Sequence, residues 1–215
     1  MLKKSTFAVM AAVLLLVFAG LVLATEDDDE DEKDNVAAQE EVLEQFEGKT
    51  FYTQANIFYE KPMKILSTNF HKGKILPVGS KVTVDYAGGR TIEFIDEKKT
   101  TYRITLKRKH TSPGMKLLFY FNQYFAPSNP LEPGGPYSRF TEAEQWSIKN
   151  GTLEKGMSRA AVLMAYGYPP SHATPDLKDD KWTYWIGSMH GQPVYVYFKN
   201  DRVYKITSAG SLLSE

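Results

Sequence analysis

Across its 215 residues the chain has no cysteine. That absence excludes disulfides, thiol catalysis, zinc-thiolate centres and lipidation through a cysteine sulfur. Histidine is scarce as well. His71, His110, His172 and His190 are scattered, with neither an i,i+4 metal pair nor an HExxH arrangement, so no metal site and no cofactor is expected. A G-x-S-x-G elbow, a phosphate-binding glycine loop and a dinucleotide fingerprint are all missing. Asp176, Asp179 and Asp180 are the closest approach to the paired carboxylates of a hydrolase, but beside Pro175 and Lys178 they read as an exposed loop. No catalytic residue is therefore assigned, and the chain is not expected to be an enzyme.

What the sequence does contain is segregated by charge. The total is balanced, 26 Lys and Arg against 26 Asp and Glu, because segments of opposite sign cancel. Lys3 and Lys4 precede an apolar run from Phe7 to Leu23, and Val22-Leu23-Ala24 matches the small-residue pattern that signal peptidase requires. This predicts an export signal over residues 1–24, cleaved before Thr25; an uncleaved inner-membrane anchor is the other reading. Either one places the rest of the chain outside the cytoplasm, in the periplasm or the medium. Glu26 to Asp34 then holds eight acids and one lysine, and residues 25–47 are expected to form a disordered acidic spacer, with room for a fraying helix near Glu40 to Phe46.

From Gly48 to Ala126, short β-branched and aromatic segments alternate with turn signals: Lys49 to Gln54, Asn56 to Tyr59, Lys81 to Tyr86, Arg90 to Ile95 and Thr100 to Leu106. Ala87-Gly88-Gly89 and Asp96-Glu97-Lys98-Lys99 supply the tight connections. These strands predict a small antiparallel barrel. Ser112-Pro113 opens a helix expected to run to about Phe125, its aromatic face closing one end of that barrel. The segment carries fourteen Lys and Arg against five Asp and Glu, densest at Lys107, Arg108 and Lys109. That trio is the candidate site for anionic partners, whether phospholipid headgroups, cell-wall polymer or the chain's own acidic segment; solubilising charge on a small barrel is the other reading. Nucleic acid is not an expected partner of an exported chain.

Pro127, Pro130, Pro133 and Pro136 with Gly134-Gly135 predict a semi-rigid linker over residues 127–137. Beyond it, Thr141 caps a helix ending near Lys149, and Ser158 caps a second whose packing face is Ala161, Val162, Ala165 and Tyr166. Gly167 and Pro169-Pro170 stop that helix. Strands are predicted at Lys181 to Ile186, Val194 to Phe198 and Val203 to Thr207, the last two joined at Lys199-Asn200-Asp201. Alternation assigns Trp182, Tyr184, Ile186, Val194, Val196 and Phe198 to the core face, and Trp185, Tyr195 and Tyr197 to the opposite one, which is either an open binding surface or covered by the barrel or the linker folding back over it.

Two resemblances follow. Ile75-Leu76-Pro77-Val78-Gly79-Ser80-Lys81-Val82 resembles the entry to a central strand in SH3-like barrels of bacterial envelope proteins. Gly156-Met157-Ser158, Val162, Gly167-Tyr168-Pro169, Trp182-Thr183-Tyr184 and Val196 to Val203 together resemble the SmpA/OmlA (BamE-like) family across about the last third of the chain. That resemblance implies two helices packed on a three-stranded antiparallel sheet, in a non-catalytic domain associated with outer-membrane or envelope assembly. Members of BamE type are anchored through a lipobox cysteine, which is missing here, so another partner is implied. The fold class expected is α+β, and the function expected is that of an exported envelope protein binding another envelope protein through Trp185, Tyr195 and Tyr197. A secreted enzyme inhibitor, built like the α+β units that inhibit β-lactamase, is the alternative.

Overall fold

The structure, a computed structural model, describes residues 41–107, 116–187 and 191–208. The predicted export segment and the acidic run from Glu26 to Asp34 lie outside the described residues, as do Ser112-Pro113, Arg108 and Lys109. All described residues fall in one compact unit. It is an α+β fold made mostly of sheet, with few helices.

The first half is a curled six-stranded sheet built from β1 (Thr50–Thr53), β3 (Ile65–Leu66), β5 (Lys81–Gly88), β6 (Thr91–Asp96), β7 (Thr101–Thr105) and β8 (Phe125–Ala126). Their spatial order is β3-β7-β6-β5-β1-β8. Pairing is antiparallel except between β3 and β7. Alternation sends Val82, Val84, Ile92, Phe94, Tyr102 and Ile104 inward, onto helix α1 (Leu117–Tyr124). Helix α1 contributes Leu117, Leu118, Tyr120, Phe121 and Tyr124 to this core, so the predicted aromatic face packs inward. The fold also reclaims part of the segment assigned to the acidic spacer. Leu43 and Phe46 are buried, with Phe46 lying 4.8 Å from Phe121 between ring centroids. Two apolar side chains outweigh the charge density around them once a core is there to receive them.

The second half stacks α2 (Glu142–Asn150) and α3 (Arg159–Tyr166) against an antiparallel sheet of order β11-β10-β9, with β9 at Lys181–Ile186, β10 at Gln192–Lys199 and β11 at Arg202–Ser208. Helix α2 starts in a capping box, the Thr141 hydroxyl accepting from the Glu144 amide while the Glu144 carboxylate accepts from the Thr141 amide. Ser158 caps α3. The β10–β11 turn places Asn200 and Asp201 at positive φ, as a tight hairpin requires.

One residue of the expected core set goes elsewhere. Trp182, Tyr184, Val194, Val196 and Phe198 are buried, but Ile186 is 48% exposed. Ile186 is the last residue of β9 and pairs with the exposed Gln192, beyond the last buried pair of the core face, Tyr184 and Val194.

Between the two halves stands a small ladder that the sequence pattern only half announced. Strand β2 (Ile57–Tyr59) pairs with β4 (Lys74–Leu76), Ile57 opposite Leu76 and Phe58 opposite Ile75. Ile57 and Leu76 pack into the first core, while Phe58 and Ile75 pack into the second. With side chains alternating across the strand, one ladder walls both cores. The proline-rich segment reinforces this junction. The Tyr137 amide donates to the Pro130 carbonyl, and Leu131 lies so close to Gly79 that a Cβ there would come within 2.6 Å of it.

Candidate functional site

The outer face of the β9-β10-β11 sheet is built by register. Lys181 on β9 stands opposite Tyr197 on β10, and Tyr197 opposite Lys205 on β11. The next row is Thr183, Tyr195 and Thr207, and the row after that pairs Trp185 with Pro193. Trp185, Tyr195 and Tyr197 thus share the face opposite the core, as alternation predicts, and all three are half-buried. A bulge between Tyr197 and Phe198 shifts the register and turns Tyr204, 51% exposed, out toward solvent. Sequence alternation alone misses Tyr204, because the bulge breaks the period of two.

Each of these rings has a neighbour on it. The His172 imidazole stacks over Trp185 at 5.5 Å, Lys181 Nζ lies 4.9 Å from the Tyr195 ring centre, and Lys205 Nζ lies 5.7 Å from that of Tyr197. Tyr197 and Tyr204 are 6.3 Å apart. His172 arrives on the loop after Gly167, whose Thr174 hydroxyl accepts from the Thr183 amide and fastens the loop to β9.

Arg159 braces the sheet end nearest Lys181. Its guanidinium lies 4.3 Å from the Phe198 ring centre and binds Asp180 at 2.8 Å and Asp201 at 2.9 Å, donating also to the Leu177 and Asp179 carbonyls. Glu144 does similar work at the junction of α2 and α3. Burial alone would raise its carboxyl, but hydrogen bonds from the Ser158 and Thr141 amides and hydroxyls outweigh burial and hold it below the usual carboxylate range.

The two helices and the far end of β9 are tied to the first half by polar groups. Asn56 donates to the Ile148 and Ala165 carbonyls and accepts from the Val78 amide, so both ends of its amide are occupied. Asn69 accepts from the Phe58 amide and donates to the Tyr166 carbonyl. The His71 amide donates to the Trp185 carbonyl at 3.2 Å, forming a parallel bridge with Ile186. His71 is buried, with Nε2 at 2.6 Å from the Tyr166 carbonyl and Nδ1 at 3.3 Å from the Trp185 carbonyl. Burial pushes its imidazole down to about 4, against the two carbonyls, which favour the protonated form. Sequence spacing gave no sign of this role, because the partners are backbone atoms far along the chain.

Lys107 is exposed just beyond the end of β7; Arg108 and Lys109 lie outside the described residues. Two half-open depressions mark the surface. One, of about 200 Å³, is lined in part by Glu60, Lys64, Phe70 and Lys72, with Lys72 closing onto Glu60 at 2.8 Å. The other, of about 220 Å³, is largely apolar, between Pro130, Pro136, Phe140, Leu163, Met164 and Tyr168. Among the described residues no cluster of His, Asp and Glu could hold a metal ion, and no helix is long and apolar enough to cross a membrane. No family model, curated protein or solved structure matches the chain.

Proposed function

We propose that this protein is an exported, non-catalytic interaction protein of the bacterial cell envelope, with an SH3-like barrel in its first half and a BamE-like α+β layer in its second. The observation that carries the reading is the outer face of β9-β10-β11. Four aromatic side chains, Trp185, Tyr195, Tyr197 and Tyr204, stand there, Tyr204 exposed and the others half-buried, and the first half of the fold meets β9 at its edge through the bridge of His71 with Ile186. Rigid aromatic area at a wet surface is the composition of binding hot spots. The layout of two helices on a three-stranded antiparallel sheet supports the BamE-like assignment, and the short curled strands support the barrel. Lys107, Arg108 and Lys109 supply a second, charge-based contact with anionic lipid or cell-wall polymer.

Affinity capture from an envelope extract tests the reading. Wild-type protein retains a multi-component envelope assembly, and Tyr204→Ala with Tyr197→Ala loses it while keeping the same thermal midpoint. Retention of a single soluble hydrolase would establish the inhibitor instead. Capture indifferent to both tyrosines would overturn the assignment of this face.

A further inference from the structure

The reading of the outer sheet face as the partner surface can be taken further, to the partner's chemistry. Lys181, Tyr197 and Lys205 form one row across three strands, and two strand spacings set the lysine backbones roughly 10 Å apart. The rows on this face, Lys181, Thr183 and Trp185 on β9, Pro193, Tyr195 and Tyr197 on β10, and Lys205 and Thr207 on β11, contain no acidic residue. Among the described residues neither lysine reaches a carboxylate; each ammonium instead sits over a tyrosine ring. The carboxylates nearest in sequence, Asp180 and Asp201, are held by Arg159. Contact with a ring positions an ammonium without neutralising it, so both charges stand ready for an external anion.

The same contacts decide which anion. Sugars and nucleobases dock by stacking on runs of open aromatic faces, but Tyr195, Tyr197 and Trp185 each already carry Lys181, Lys205 or His172, which leaves Tyr204 as a single open ring. Bilayer binding needs a clustered apolar face, whereas the large exposed apolar residues, Met63, Phe119, Leu131 and Trp146 among them, come from separate elements. Thr183 in the next row is buried, so the exposed part of this face is the end that carries Lys181, Tyr204 and Lys205, and an exposed sheet surface is ordinarily covered by a helix laid on it. Residues seven apart on a helix are separated by about 10 Å, matching the lysine row.

We infer that the face binds an acidic amphipathic helix of a protein partner. Two carboxylates seven residues apart engage Lys181 and Lys205, and an apolar residue between them packs against the exposed ring of Tyr204.

The test uses the full chain, isotope-labelled, and an alanine-based helical peptide of about twenty residues with two glutamates seven apart and a leucine between. Amide shifts at Tyr195, Tyr197, Lys205 and Thr207 are expected on titration. Lys181→Glu with Lys205→Glu should weaken binding about tenfold or more without lowering the thermal midpoint, and a peptide with lysines in place of the glutamates should restore it. Equal binding of both peptides by wild type, shifts confined to residues 48–107, or displacement of the peptide from this face by phosphatidylglycerol vesicles would overturn the proposal. Failure of this inference is distinct from failure of the underlying reading. Envelope capture that survives the lysine reversals but is lost in Tyr204→Ala would keep the face and discard its acidic specificity.

Discussion

The His71 imidazole lies flat against the Tyr166 ring, with centroids 3.4 Å apart and planes 8° from parallel, while its Nε2 meets the carbonyl of the same tyrosine at 2.6 Å. One residue of the first half is thereby fixed to the end of α3 by both its ring face and its edge. Phe58 packs edge-on against it at 4.4 Å, and His71 is left only 7% exposed.

Acid should loosen this junction. The folded chain keeps His71 neutral down to about pH 4, whereas the unfolded chain protonates it near its ordinary value of 6.5. Between those values the unfolded state binds more protons, so stability rises with pH and is lost on acidification from about 6.5 to about 4. The loss is on the order of 3 kcal/mol. Urea unfolding at pH 7 and pH 5 reads about 2 kcal/mol of it, the remainder being lost between pH 5 and about 4, and His71→Phe should flatten the dependence. The Glu144 contribution disappears only at lower pH, through a carboxyl held below the usual range, so the two effects separate.

Asn56→Ala should cost about 3 kcal/mol or more, because it strands the Val78 amide and the Ile148 and Ala165 carbonyls in a dry interior. Thermal melting followed by tyrosine fluorescence and by far-ultraviolet circular dichroism should show one shifted transition. Two separated transitions would mean that the halves fold independently, contrary to the shared β2-β4 wall.

How much of this was legible beforehand depended on where each partner lay. Lys181 to Ile186 was readable as a strand to the residue, because its alternation is local. So were the Thr141 and Ser158 caps and the stop at Gly167. Strand β4 was hidden: Lys74-Ile75-Leu76 is too short to show a period, and its identity comes from pairing with β2. A fraying helix near Glu40 to Phe46 was legible, and residues 41–44 are helical, but the burial of Leu43 and Phe46 was masked by their acidic neighbours. Of the site, Trp185, Tyr195 and Tyr197 followed from period two, whereas Tyr204 depended on a bulge and His71 on backbone carbonyls 95 and 114 residues away.

Gly167→Ala should destabilise by about 2 kcal/mol or more. Its φ of +79° disfavours any side chain, and an added Cβ would come within 2.3 Å of Asn69 Nδ2. Chemical denaturation reads the loss, and Asn69→Ala in the same chain should recover none of the φ penalty.

Charge reversal of Lys107, Arg108 and Lys109 should lower binding to anionic vesicles. The wild-type affinity should itself fall steeply as salt shortens the screening length from about 10 Å at 0.1 M. Vesicle sedimentation across a salt series checks both.

The central claim is that the outer face of β9-β10-β11 is where this protein meets its partner, and site-specific photo-crosslinking in intact cells tests it most directly. A photoreactive residue placed at Tyr204 should give a discrete crosslinked envelope protein, reduced when Tyr197 is changed to alanine. The same probe at Trp146, 58% exposed on α2 away from that face, should give none. Crosslinks from Trp146 with silence at Tyr204 would contradict the account.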